Sequence, residues 1–403
     1  MGFFNQTSLT VLKEPPSLLP RCGSCGLFKN CQSPKMKPSG KGRKRILIVG
    51  EAPGANEDVQ GIQFIGKAGQ FVRSALEILG INTRRDVWWT YSLICGPHEG
   101  TRNRTPTDRE IDYCRPNLTR TIKELNPDVI LLLGKVPLSS CIKPIFPDIG
   151  ELGKWTGQQI PCRQPNAWIC PTWHPSYLIR EGNPILDREW ERHLKAAVEL
   201  TGKPWQTIPD YSSQVKCLFD PEEAARAILA IQEGNRPIAW DLETEGLKPD
   251  RQDFNIVTCS VSDGITTFAF PWVGVAIDAM KELLRSDLPK WGWNAKFEDR
   301  WIRSKLGIRI RNWQEDGMLN AHALDNRSGV TGLDFQAFVQ LGQETYDKHI
   351  RPFLKSKRRG GNERNRIKEV DLKGLLQYNG LDSLLTWKIV EKQRERIGKC
   401  KSK

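Results

Sequence analysis

The stretch Ile238-Ala-Trp-Asp241-Leu-Glu243 ends an apolar run on two acids spaced i and i+2. Alternate side chains of a strand share a face, so Asp241 and Glu243 project together. Two carboxylates held that close repel each other unless a cation sits between them, and hard oxygen ligands of this kind suit Mg²⁺ or Mn²⁺. Alone, the pair fits a solvated strand end equally well. Two further segments add to it. Trp293-Asn294-Ala-Lys-Phe297-Glu298-Asp299-Arg-Trp301 predicts an N-capped helix with Phe297 and Trp301 on its core face and Glu298 beside that face, free to reach a metal. Tyr378 and Asp382 fall four apart in a helix predicted over Leu372–Val390 and face the same way.

A second constellation is built from sulfur. Cys22-Gly-Ser-Cys25 is followed by Cys31, and much later by Cys95 and Cys114. The chain has 11 cysteines and is expected to be cytoplasmic, where thiolate chemistry or metal binding takes precedence over disulfides. Four or five cysteines framing one unit suit an iron–sulfur cluster or a four-thiolate zinc, and spacing does not separate the two.

These residues need elements to hold them. Lys44–Val49 reads as a strand running into the turn Gly50–Gly54, followed by helical spacing over Lys67–Leu79, a helix over Arg109–Leu125 and a strand over Asp128–Leu133. Strands alternating with helices imply an α/β sandwich around a parallel sheet. Around Thr201–Val215 periodicity lapses into TGKPWQTIPDYSSQV, which reads as a linker. The second unit opens with an amphipathic helix, Pro221–Gln232, and the strand Pro237–Leu242. The expected division is residues 1–205, a linker at 206–215, and 216–403.

Lys plus Arg is 60 against 47 for Asp plus Glu, a net charge of +13 that favours a polyanionic partner. The basic stretches Lys35–Arg45 and Lys355–Lys368 are expected to track phosphates, the second as a mobile loop, although either could be a solvated loop. Of the 14 tryptophans, Trp88, Trp89 and Trp173 fall near the candidate pocket and could stack on bases. No apolar run approaches the ~20 residues of a membrane helix. MGFFNQTSLT lacks the features of a secretion signal.

With these segments in view, residues 216–396 resemble the DnaQ-like proofreading exonucleases, specifically the DEDDy type of family A DNA polymerases. The first motif matches at Asp241 and Glu243 and the third at Tyr378 and Asp382; the second ends in Glu298 where the family has Asp. Asp316 and His322 resemble an adjoining family segment, Asp316 as a cap or outer residue rather than a ligand. The resemblance implies a ribonuclease-H-like α/β domain with a mixed sheet and two-metal phosphodiester hydrolysis. Asp241 would bridge two Mg²⁺ or Mn²⁺, Glu243 and Asp382 would assist, and Tyr378 would orient water. Glu298, one methylene longer than Asp, would reach through water, with Asp299 as the fallback ligand.

Residues 20–200 resemble the family 4 uracil-DNA glycosylases through Val49-Gly-Glu51-Ala-Pro-Gly54…Glu57, Phe64…Gly69, Arg104-Thr-Pro106…Glu110…Cys114 and Trp173-His174-Pro175-Ser176. That resemblance implies a three-layer α/β fold and a 4Fe–4S cluster on Cys22, Cys25, Cys95 and Cys114, leaving Cys31 spare. Phe64 would stack on a flipped-out base, Glu51 and Glu57 would lie in the water-activating and backbone-anchoring motif, and His174 would donate to the departing uracil. Tyr91 departs from the pattern: the family carries Asn there, whose amide reads the uracil edge. A phenol lacks that donor–acceptor pair and has the bulk to fill a pocket. Gln63 likewise replaces the usual Pro.

The sequence therefore reads as a two-domain DNA-processing protein that trims 3′ ends, resembling the front half of some phage DNA polymerases. It ends soon after the third motif and reads either as a stand-alone processor or as an accessory working beside a separate DNA polymerase. The alternatives are an excision-repair enzyme with an accessory nuclease, and a non-catalytic module that binds DNA beside a polymerase.

Overall fold

A computed structural model of the chain describes residues 19–99, 102–203, 207–354 and 363–401. The opening residues and positions 355–362 of the second basic stretch lie outside the described residues. The chain forms two compact units. The first comprises 1–144, 148–152 and 165–204; the second comprises 145–147, 153–164 and 205–403.

In the first unit, strands run in the order Ser39–Gly40, Val87–Tyr91, Ile46–Gly50, Val129–Leu133, Ala167–Thr172. All pair in parallel except Ser39–Gly40, which is antiparallel to Val87–Tyr91. Ile46–Gly50 and Val129–Leu133 are buried at every position, as apolar strands covered on both faces must be. Helices Lys67–Ile78, Asp108–Leu125 and Pro184–Val198 bury their apolar stripes. Asp108–Leu125 begins in a reciprocal capping box: Glu110 N–H donates to Thr107 Oγ1, and Thr107 N–H to the Glu110 carboxylate.

The second unit is built on a mixed six-stranded sheet: Trp313–Asp316, Lys290–Gly292, Ile238–Thr244, Ile256–Ser262, Thr267–Pro271, Val215–Cys217. Ile238–Thr244 is central, antiparallel to Ile256–Ser262 and parallel to Lys290–Gly292. One long helix, Leu372–Lys401, packs on this sheet and carries the third motif.

Three expectations are revised here. The stretch 207–215 is folded into the second unit: Ile208 and Tyr211 are buried in a cluster with Leu381, Leu384 and Leu385, and Val215–Cys217 is an edge strand of the sheet. Segments 145–147 and 153–164 also group with the second unit, because Phe146 and the fully buried Trp155 pack against Phe335 and Phe338. The helix carrying Glu298, Lys296–Leu306, has no side-chain cap of its own. Asp316 supplies it from a neighbouring strand, accepting from Asn294 N–H at 3.0 Å and Ala295 N–H at 2.9 Å while also capping Gly317–Leu324.

Candidate active sites

Asp241, Glu243 and Asp382 each offer a carboxylate oxygen, and these atoms lie within 4.8 Å of one another. The central strand delivers the first two on one face, and the long helix brings the third. Asn379 fixes the arrangement. Its Nδ2–H donates to Asp241 Oδ2 at 2.7 Å, while Thr258 Oγ1 donates to its Oδ1 at 3.1 Å and Ser260 Oγ to its carbonyl at 2.7 Å. The Tyr346 hydroxyl donates to Asp382, and the Tyr378 ring lies beside that of Tyr346, 5.8 Å between centroids. Glu298 lies outside the close trio but is buried, near enough to Asp241 to repel it, and its Oε2 has no hydrogen-bond partner. Asp299 turns to Arg303 at 2.7 Å, and Asp316 spends its oxygens on backbone caps, so neither joins the trio. His322 is exposed.

Burial and mutual repulsion push Asp241, Glu243 and Glu298 well above the usual carboxylate range, and desolvation lifts Asp382 to about 7 against the pull of the neighbouring tyrosines. Crowded, desolvated acids of this kind become favourable anions once a divalent cation neutralises them. The residues therefore fit the metal pair the resemblance implied.

A pH dependence follows. Asp382 holds its proton to about 7 in the fold against an ordinary 3.8, so between those values the unfolded chain binds fewer protons than the folded one. Stability of the EDTA-treated protein should therefore fall over that interval. Mg²⁺, which competes with the protons, should restore stability most at the alkaline end. Unfolding followed at pH 5 and pH 8, with Asp382→Asn as comparison, checks this; an identical pH slope in the two proteins would contradict it.

In the first unit, a cleft is lined by Glu51, Gly54, Glu57, Phe64, Tyr91, Arg104 and His174 among others. Burial raises the Glu51 carboxyl above its usual range. Glu57 accepts Gly66 N–H at 2.8 Å, and a Cβ on Gly54 would stand 2.7 Å from its other oxygen, so the carboxylate packs directly on that turn. Arg104 grips Glu110 through both guanidinium nitrogens and holds that carboxyl down to about 2. His174 accepts Ser176 N–H on Nδ1 at 3.2 Å, which places the neutral ring's proton on Nε2. Burial, with Arg180 nearby, lowers its pKa to about 4, so the ring is a neutral donor at physiological pH.

Tyr91 decides the state of this cleft. Its ring stacks on Phe64 with centroids 4.7 Å apart and planes 8° from parallel, and its hydroxyl accepts Phe64 N–H at 2.9 Å. Trp89 leans on the same phenylalanine at 4.7 Å. Phe64 also sits at φ +54, the left-handed region. One face of the expected base-stacking ring is thus covered by Tyr91, with Trp89 tilted at 47° against the same ring. Trp89 and Trp173 are committed to packing: Arg73 lies over Trp89 at 4.2 Å, and Trp173 stacks on His193. Trp88 covers Gly42, where a Cβ would meet its ring. Gln63 donates to the Lys37 carbonyl and accepts from Ser39 Oγ, tying its loop to the basic stretch. At the end of that stretch, Arg45 is paired with Asp128.

Cys22, Cys25, Cys95 and Cys114 line one small apolar cavity with Leu27, Phe28, Leu93, Ile94 and Tyr113. Cys31 is outside that lining and donates to the Leu27 and Gly96 carbonyls. None of the described cysteines forms a disulfide. Burial pushes the Cys95 thiol up to about 11 and raises Cys25 and Cys114, so ionising this set requires a cationic guest. Four thiols around an apolar cradle fit such a guest.

Comparison with known proteins agrees with this geometry. The uracil DNA glycosylase superfamily profile matches residues 38–197, and a 3′–5′ exonuclease profile matches 214–397. The type-4 uracil-DNA glycosylase of Saccharolobus solfataricus is 32% identical over 194 residues, 46% of this chain and 84% of that protein. The chain belongs to the uracil-DNA glycosylase superfamily. A 3′–5′ exonuclease domain follows its glycosylase-family domain. A DNA polymerase of Bacillus phage SP01 is 25% identical over 315 residues, covering 72% of this chain but only 34% of the polymerase. Escherichia coli RNase D overlaps at 14% identity and TM-score 0.33, over 45% of this chain and 44% of that one. Among the described residues, no helix is long and apolar enough to cross a membrane.

Asn379 and Tyr346 were not found from sequence. Asn379 adjoins Tyr378 within a motif that could have drawn attention to it, whereas Tyr346 carries no local signal.

Proposed function

We propose that this chain is a cytoplasmic DNA-processing enzyme that removes nucleotides from DNA 3′ ends, with a glycosylase-family domain that binds DNA without excising uracil. The observation that carries the nuclease reading is the Asp241–Glu243–Asp382 trio, three carboxylates within 4.8 Å on the motif positions of the exonuclease domain. Two divalent cations bound there would activate water and stabilise the leaving 3′ oxygen. Asp241, Glu243 and Asp382 would hold the two cations. Glu298 reaches the site through water, and Tyr378 orients the attacking water. Release of mononucleotides from 3′-recessed DNA with Mg²⁺ or Mn²⁺, and none in EDTA, is the expected result; metal-independent release or none at all would refute it.

In the first domain, Cys22, Cys25, Cys95 and Cys114 are the ligands of a 4Fe–4S cluster whose role is to cross-link distant segments. The relation to a phage polymerase supports a separate DNA polymerase as partner, in replication or repair. Glu51, Glu57 and the Nε2–H of His174 keep the equipment of base excision, which favours a second reading as a working glycosylase. Tyr91 stands against it: an extruded base needs the face of Phe64 that this ring covers. The natural protein should release no measurable uracil in EDTA, and Tyr91→Asn, which frees the ring and supplies an amide, should release some. A matched buried polar group is worth ~1–3 kcal/mol, roughly 5- to 150-fold, so partial restoration is measurable. Robust release by the natural protein would favour the second reading.

A further inference from the structure

Tyr346 reaches the carboxylate trio from 343–350, a segment without helix or strand that follows helix Leu333–Leu341. Anchors flank it on both sides. Thr345 Oγ1 donates to the Ile145 carbonyl at 3.1 Å; Arg351 pairs with Asp347 and, at 2.7 Å, with Asp334. Between them the Tyr346 hydroxyl donates to Asp382 Oδ1, and its ring lies 5.8 Å from that of Tyr378.

Tyr346 lies outside the motif, yet its hydroxyl donates to the Asp382 carboxylate. The terminal torsion of an aspartate is soft, so a carboxylate without a donor turns freely. Tyr346 occupies one oxygen and thereby holds that torsion. We propose that Tyr346 is a positioning residue of the metal centre, fixing the Asp382 carboxylate for the cations through its hydroxyl. The inference rests on the nuclease reading above.

The test uses the full chain, stripped of metal, with Mn²⁺ binding followed by electron paramagnetic resonance in the absence of DNA. Tyr346→Phe should bind Mn²⁺ about tenfold or more weakly, the usual consequence of losing an outer partner of a ligand. Its unfolding temperature in EDTA should be unchanged, and exonuclease rate should recover as Mn²⁺ is raised. In an Asp382→Ala background the same change should weaken Mn²⁺ binding no further, because the effect passes through that carboxylate. Tyr346→Met is a second donor-free variant should the first fail to fold. A folded donor-free variant with wild-type Mn²⁺ affinity overturns the proposal, as does an equal loss in the Asp382→Ala background. A natural protein that binds no Mn²⁺ would instead sink the nuclease reading itself.

Discussion

Asp241→Ala should lower nucleotide release by at least ~10³-fold, roughly 4 kcal/mol of transition-state stabilisation. No other side chain can take its place. It shares the central strand with Glu243, is held at 2.7 Å by the Asn379 amide and repels both Asp382 and Glu298. Stability should respond in the opposite sense, since removing one acid from a desolvated cluster relieves repulsion. The relief is partly offset, because the Asn379 amide loses its acceptor. Asp241→Asn keeps an acceptor and should be as inactive but at least as stable as the natural protein. Rates on 3′-recessed DNA and unfolding in EDTA measure both effects. Activity within tenfold of natural in either variant would remove the trio from the mechanism.

Cys114→Ser should abolish the brown colour of the purified protein, its broad visible absorbance and its iron, and lower the unfolding temperature of the first domain. Cys22 and Cys25 form a single-turn helix at the start of the described chain, while Cys95 follows the strand Val87–Tyr91 and Cys114 lies in the helix Asp108–Leu125. A cluster held by all four ties the first turn to elements more than seventy residues away in sequence. Such ligand bonds contribute directly to folding free energy. Cys31→Ser, whose thiol faces backbone carbonyls instead of the cavity, should keep colour and iron. A colourless protein with one zinc per chain, or a Cys114→Ser variant that stays brown, would contradict the assignment.

What could be read from sequence was whatever local spacing encodes. The paired acids of Ile238–Thr244 were legible because a strand's period of two places them on one face. Tyr378 and Asp382 were legible because one helical turn does the same. Lapsed periodicity misled at 207–215, where Ile208, Tyr211 and Val215 bury at irregular intervals against Leu381, Leu384 and Leu385, a contact made only once the chain has folded. The cap of Lys296–Leu306 was hidden for a similar reason, since Asp316 lies some twenty residues away in sequence from the amides it accepts. Tyr346 sits in a segment with no repeating pattern, and only the tertiary fold brings its hydroxyl to Asp382. Tyr91 was legible as a chemical mismatch, but its stacking on Phe64 required the parallel pairing of Ile46–Gly50 with Val87–Tyr91.

One chain is expected to join a 3′-end nuclease to a glycosylase-family domain in which Tyr91 covers the base-stacking ring. A single 5′-labelled oligonucleotide with one internal uracil tests both halves, incubated with Mg²⁺ or with EDTA and then treated with alkali. The expected result is a ladder shortened from the 3′ end in Mg²⁺ and an intact strand, with no break at the uracil, in EDTA. An unshortened strand in Mg²⁺, or alkali-labile cleavage at the uracil in EDTA, would contradict it.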